Sequence, residues 1–169
     1  MKRFADVNAV AAGFLRDLAY AQTSEPKMFG YKRAASAVLA HEGHEHATGV
    51  VRERMILMEQ MGNRLLAITK RIRSNREFDK IADDAKAIER LSSEAVSKFP
   101  PGSTQAPTAA KTLVWQQWPD FEAKSKKLQA EAQKLAQLPT IDTAALRPQF
   151  RAVAYACDAC HETYRVTKR

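Results

Sequence analysis

The chain has 169 residues, enough for one well-cored domain with an appendage and cramped for two. Hydrophobic residues make up 45% and charged residues 27%, and no apolar run approaches the roughly 18 residues of a membrane span, which excludes a transmembrane protein. Lys and Arg number 27 against 19 Asp and Glu, a formal balance of +8 that suits acidic partners without marking a nucleic-acid binder.

Only 6 Gly and 7 Pro punctuate the chain, and strand-forming residues never alternate over a stretch, so the chain is expected to be nearly all helix. A first helical pattern runs from about Asp6 to Gln22, with Val7, Val10, Phe14, Leu15 and Leu18 at helical spacing. A shorter one covers about Lys27 to Ala40. The polar stretch His41-Glu42-Gly43-His44-Glu45-His46 then forms a junction. Its three histidines offer imidazoles of the kind Cu(II) or Ni(II) accept, against the plainer reading of a solvated leader.

Beyond the junction the patterning is more regular. Met55, Met58, Gly62, Leu65, Leu66, Thr69 and Ile72 are expected to line one side of a helix from about Gly49 to Ser74. Phe78, Ile81, Ala82, Ala85, Ile88, Leu91, Ala95 and Phe99 repeat through a second, which ends against Pro100-Pro101-Gly102. A Pro/Ser/Thr/Gly-rich loop continues to about Ala109. The third long helix carries Phe121, Leu128, Leu135 and Leu138, with Pro119 in its first turn and Pro139 at its end. The fourth starts after an Asp142 cap and carries Leu146, Phe150, Val153, Cys157, Cys160, His161 and Tyr164, with an early bend expected at Pro148. The expected fold is all-α: an antiparallel four-helix bundle over residues 46–169, preceded by a short helical extension or altered leader over 1–45.

The only two cysteines lie in Cys157-Asp158-Ala159-Cys160-His161, the spacing of covalent c-type haem attachment. Two thiols on one helical turn can each form a thioether with a haem vinyl group, and the adjacent imidazole is carried to the iron as its ligand. Three other readings compete. A redox disulfide favours a helix N-terminus, whereas this pair lies near a C-terminus. A structural zinc site needs four ligands, and the remaining histidines are far away in sequence. Chance is the third, since the match is short.

The segment from Ala156 to Arg165 resembles the haem-binding end of class II c-type cytochromes, the cytochromes c′ and their low-spin relatives. Phe99-Pro100-Pro101-Gly102, then Lys111-Thr112-Leu113-Val114-Trp115 and Phe121, is similar to that family's second-helix exit, crossover loop and third-helix entry. Arg54, Met58 and Gly62 resemble its arginine, distal residue and glycine at their usual spacing. The resemblance covers about residues 48 to 169. It implies one covalent haem c, held at Cys157 and Cys160, with His161 and Met58 as iron ligands. It also implies residence in the bacterial periplasm and a homodimer through the first two bundle helices. Trp115 and Phe121 are expected to supply apolar walls, and Arg54 and Arg165 cations at the mouth, where each otherwise reads as solvated surface arginine.

The expected function is one-electron transfer by a His/Met-ligated, low-spin iron, with unidentified redox proteins as partners. The alternative is a five-coordinate cytochrome c′ binding NO or CO. No nucleophile, base and oxyanion donors can be placed together, so no enzyme is expected. The first 40 residues lack a normal signal peptide, because Asp6, Arg16 and Asp17 interrupt the apolar stretch, although Ser36-Ala37-Val38-Leu39-Ala40 is similar to a cleavage site. Residues 6–39 also resemble a fragment of the helical module that begins family X DNA polymerases. Nearly all the basic excess falls after Gly49, so no nucleic-acid partner is expected.

Overall fold

The computed structural model describes residues 46–139 and 143–166. The extension expected over residues 1–45 lies outside them with His41 and His44, as does the Asp142 cap; His46 is exposed. Four long helices follow one another. The first, α1, spans Gly49–Ser74. Asn75 ends it in the left-handed region at φ 54°, returning its N–H to Arg71 O, and Arg71 and Arg73 complement the negative helix end.

The second helix is shorter than its apolar pattern. A 3-10 turn at Phe78–Lys80 leads into α2, Ile81–Val96, and the chain then unwinds by short-range bonds from Lys98 N to Ala95 O and Phe99 N to Val96 O. Phe99 lies outside the helix because the ring of Pro100 disfavours helical backbone at the residue before it. A single turn, α3 (Leu113–Gln116), precedes the third long helix, α4 (Trp118–Gln137). Pro119 has no N–H to give Trp115, which disfavours one continuous helix, yet it suits the opening turn of α4. The last helix, α5, spans Thr143–Tyr164 with Pro148 inside it.

Backbones pack closely from α1 to α2, α2 to α4 and α4 to α5, whereas α1 and α5 approach each other sparsely among the described residues. One core runs through the bundle, built by Leu57, Met61, Leu65, Ile68 and Ile72 of α1, Ile81, Ala85, Ile88 and Leu91 of α2, Leu128, Ala132 and Leu135 of α4, and Leu146, Phe150 and Val153 of α5. The apolar stripe of α1 is thus rotated from the expected one. Leu57, Met61 and Ile68 join the core against α2, while Met55 and Met58 turn to its edge. A second, aromatic cluster of Phe99, Val114, Phe121 and Tyr164 fills one end, and Met58 packs against both.

Two carboxylates are buried between helices. Asp84 of α2 takes Arg71 and, at 3.1 Å, Arg64 from α1. Glu131 of α4 accepts from Lys127, Lys134 and Gln149, the last at 2.8 Å from α5. Removing the buried carboxylate takes charge-assisted hydrogen bonds from Arg71 and Arg64, so Asp84→Ala is expected to lower the unfolding free energy by about 2 kcal/mol in urea titration. The hydrogen bonds from Lys127, Gln149 and Lys134 hold the Glu131 carboxyl down from an ordinary 4.5 to about 2. A depressed carboxyl stabilises the fold above its unfolded value and loses that contribution as pH falls through its folded one. Glu131→Gln is therefore expected to unfold more easily at pH 7, with the gap to wild type closing between pH 4.5 and about 2 in acid titration.

Candidate haem site

The last turns of α5 place Cys157, Cys160, His161 and Tyr164 at the end of the bundle occupied by the aromatic cluster. The helical period puts Cys157, Cys160, His161 and Tyr164 on one side, so a single helix face carries the whole motif. Cys157 packs against the main core and Cys160 against the aromatic cluster. Both are half-buried free thiols. Burial pushes them up, Cys157 to about 12 and Cys160 to about 11, so neither is a thiolate near neutrality. A redox dithiol needs the opposite shift, so the burial of this pair argues against the disulfide reading.

Burial, with a smaller push from Arg165, holds the His161 imidazole down at about 4. The ring is therefore neutral at pH 7, with a nitrogen lone pair to offer iron. Two apolar cavities adjoin it. The inner one, about 90 Å³, is walled by Met61, Gly62, Leu65, Leu128, Ala154 and Cys157 among others; the outer, about 130 Å³, by Arg54, Met55, Val114, Tyr164 and Arg165 among others. Five side chains border both: Met58, Phe99, Phe121, Cys160 and His161. A cofactor pocket commonly encloses about 300–1,000 Å³; each cavity alone is smaller, and these five side chains form the partition between them. Two neutral thiols, a neutral imidazole and a thioether around one apolar space form a donor set that fits a covalently attached haem. Zinc fits it poorly, because among the described residues no three His, Cys, Asp or Glu are grouped to hold a metal ion.

The remaining expected site residues divide. Phe121 is buried beside Phe99, with ring centroids 4.9 Å apart, and beside Tyr164 at 5.3 Å. Met58 stands on the partition, whereas Met61 is buried in the core and reaches only the inner cavity. Arg165 borders the outer cavity. Trp115 borders neither: its Nε1 donates to Phe99 O and Pro100 O, both at 3.0 Å, and its ring braces Phe99 from behind. Arg54 does not lie on the surface. It is 3% exposed, 4.8 Å from the centroid of the Phe99 ring, with its guanidinium turned into the crossover loop.

Tyr164 and Lys111 are site residues that motif reasoning left without a role. Tyr164 donates to Asp120 Oδ2 at 2.6 Å and borders the outer cavity, joining the end of α5 to the start of α4. Burial and the Asp120 carboxylate push its hydroxyl up to about 12. Lys111 Nζ donates to Thr163 O at 3.0 Å and Glu162 O at 3.2 Å, capping the last turn of α5. The only sequence signal for Tyr164 was its place three residues after His161 on the same helix face.

The family model described as Cytochrome C′ matches residues 49–165. Cytochrome c-556 of Agrobacterium tumefaciens (strain II Chrys) is 35% identical over 124 residues, covering 71% of this chain and 99% of its own. Cytochrome c′ from Rhodopseudomonas palustris superposes with a TM-score of 0.67 at 25% identity, over 73% of this chain and 100% of that one. A further cytochrome c′, described for an unusual ligand-controlled dimer dissociation, superposes with a TM-score of 0.65 at 22% identity, over 70% and 95%. None of the helices among the described residues is long and apolar enough to cross a membrane. The chain belongs to the cytochrome c′ family of class II c-type cytochromes, four-helix bundles that carry covalently attached haem c.

Proposed function

We propose that the chain is a periplasmic monohaem cytochrome that carries single electrons, with Cys157 and Cys160 as the thioether anchors, His161 as proximal ligand and Met58 as the sixth ligand. The observation that carries this reading is the partition itself, where Met58 from α1 and His161 from α5 border the same two cavities. When bound, the haem supplies a one-electron iron couple whose potential follows its axial ligands.

The chain's own residues do the rest. Cys157 and Cys160, one helical turn apart on a rigid element, fix the orientation of the group they anchor. His161, kept neutral by burial, needs no proton removed before it ligates. Met58 can follow the iron because its thioether is flexible and sits between two clusters rather than inside one. Phe121, Leu65 and Leu128 exclude water, which limits reorganisation when the charge changes. Arg165 borders the outer cavity and would supply a cation for a propionate.

Acid-acetone treatment should leave haem colour on the denatured chain, and Cys157→Ser with Cys160→Ser should abolish it. His161→Ala is expected to lose the native spectrum even where haem stays attached, since neither thioether replaces an axial imidazole. Met58 ligation predicts a low-spin oxidised spectrum with a weak near-infrared sulfur-to-iron band that Met58→Leu removes, together with a lowered reduction potential. A high-spin spectrum in the wild type, unchanged in Met58→Leu, would assign the chain instead to open-sided iron that binds NO or CO.

A further inference from the structure

Arg54 is a charged side chain 3% exposed in a protein interior, so its hydrogen bonds must replace the water it has lost. They all go to the crossover loop. Nη1 donates to Ser103 Oγ at 2.9 Å and Lys98 O at 3.4 Å; Nη2 donates to Ser103 O and Thr108 Oγ1, both at 2.7 Å. The four protons on its two terminal nitrogens are thereby committed to the chain, which leaves only Nε–H for anything else. Thr108 Oγ1 in turn accepts from Ala110 N at 3.0 Å, so the loop is drawn taut towards its far end.

That far end is fixed to α5. Lys111 N donates to Tyr164 O and Val166 N to Ala109 O, both at 2.8 Å, and an antiparallel bridge pairs Ala110 with Arg165. Arg54 lies one helical turn before Met58, and Tyr164 one turn after His161. The loop therefore grips the two helices next to the two axial candidates, and α1 and α5 themselves approach each other only sparsely among the described residues.

We infer that residues 98–111 act as a strap setting the spacing of α1 from α5 at the haem, and that Arg54 is thereby a positioning residue for Met58 rather than a cation for a propionate. The strap holds the thioether in reach and keeps outside ligands away from that side. This inference rests on the proposed Met58 ligation, and two readouts on the haem-loaded full chain keep them separable: the near-infrared sulfur-to-iron band of the oxidised form, and the rate of CO association with the reduced form. Thr108→Val keeps the shape of the side chain and deletes the acceptor; Thr108→Ser restores it; Arg54→Leu removes the whole grip. Asp84→Ala, at the opposite end of the bundle, controls for lost stability alone.

Losing the hydrogen bond from the charged Arg54, together with that from Ala110 N, should shift the open-to-closed balance about tenfold. Thr108→Val is thus expected to bind CO about tenfold faster with a weakened band, Arg54→Leu to exceed it, and Thr108→Ser and Asp84→Ala to match wild type. Should Arg54→Leu fail to fold, the Thr108 pair decides. A wild-type protein without the band overturns Met58 ligation, and the strap then stands or falls on CO rates alone. Unchanged band and rate in Thr108→Val overturns the strap, as does an equal rate increase in Asp84→Ala.

Discussion

Burial of a chemically active helix end is the constraint on which the rest of this structure depends. The last turns of α5 carry two thiols, an imidazole and a phenol on one face, and burial shifts each of them further towards its neutral form. Such a face cannot be closed by tight helix packing without losing access to its donors. The bundle packs α1 on α2, α2 on α4 and α4 on α5, while α1 and α5 approach each other sparsely among the described residues. The main core, which continues to Ile72 and Leu146, supplies stability away from the site. The aromatic cluster supplies a rigid wall beside it, its rings in edge contacts that favour fixed orientations.

An open seam needs something other than backbone packing to set its width. The crossover loop does this with polar groups, which is costly in an interior unless each is satisfied. Ser103 shows how closely the requirement is met: its hydroxyl donates to Pro100 O at 2.8 Å while accepting from Arg54. Trp115 adds a second brace by donating to two carbonyls at the start of the loop. These contacts explain why a segment rich in Pro, Ser and Thr, which reads as a flexible connection, is instead held at many points. Loops with few buried contacts open readily, and this one has several.

Much of this was legible in the residues, for identifiable reasons. The Cys157, Cys160 and His161 spacing is local, and the chemistry it serves is local too. The second and third long helices showed themselves because Ile81, Ala85, Ile88 and Leu91, or Leu128 and Leu135, face a single core. α1 was harder to read because it serves two surroundings: Leu57, Met61 and Ile68 face the core, while Met55 and Met58 face the site, so one apolar stripe could not describe both. The roles of Arg54, Lys111 and Tyr164 were not legible, since each depends on partners more than 40 residues away. An arginine at the expected spacing announces a cation. Only the fold shows that its guanidinium is spent on Ser103 and Thr108.

The same two surroundings separate the three methionines of α1 in a way that sequence spacing alone could not. Met61 is enclosed by the core, where a thioether fills volume and has little freedom to reach a metal. Met55 borders only the outer cavity. Met58 alone of the three borders both cavities and touches both clusters, so its sulfur can move while its backbone stays fixed. A ligand that must form and keep a bond to iron through a change of charge needs that combination. On the proposed ligation, a leucine at this position would retain the packing against both clusters while offering the iron no lone pair, so that electron carrier and open gas-binding site would differ by the chemistry of one side chain on a shared wall.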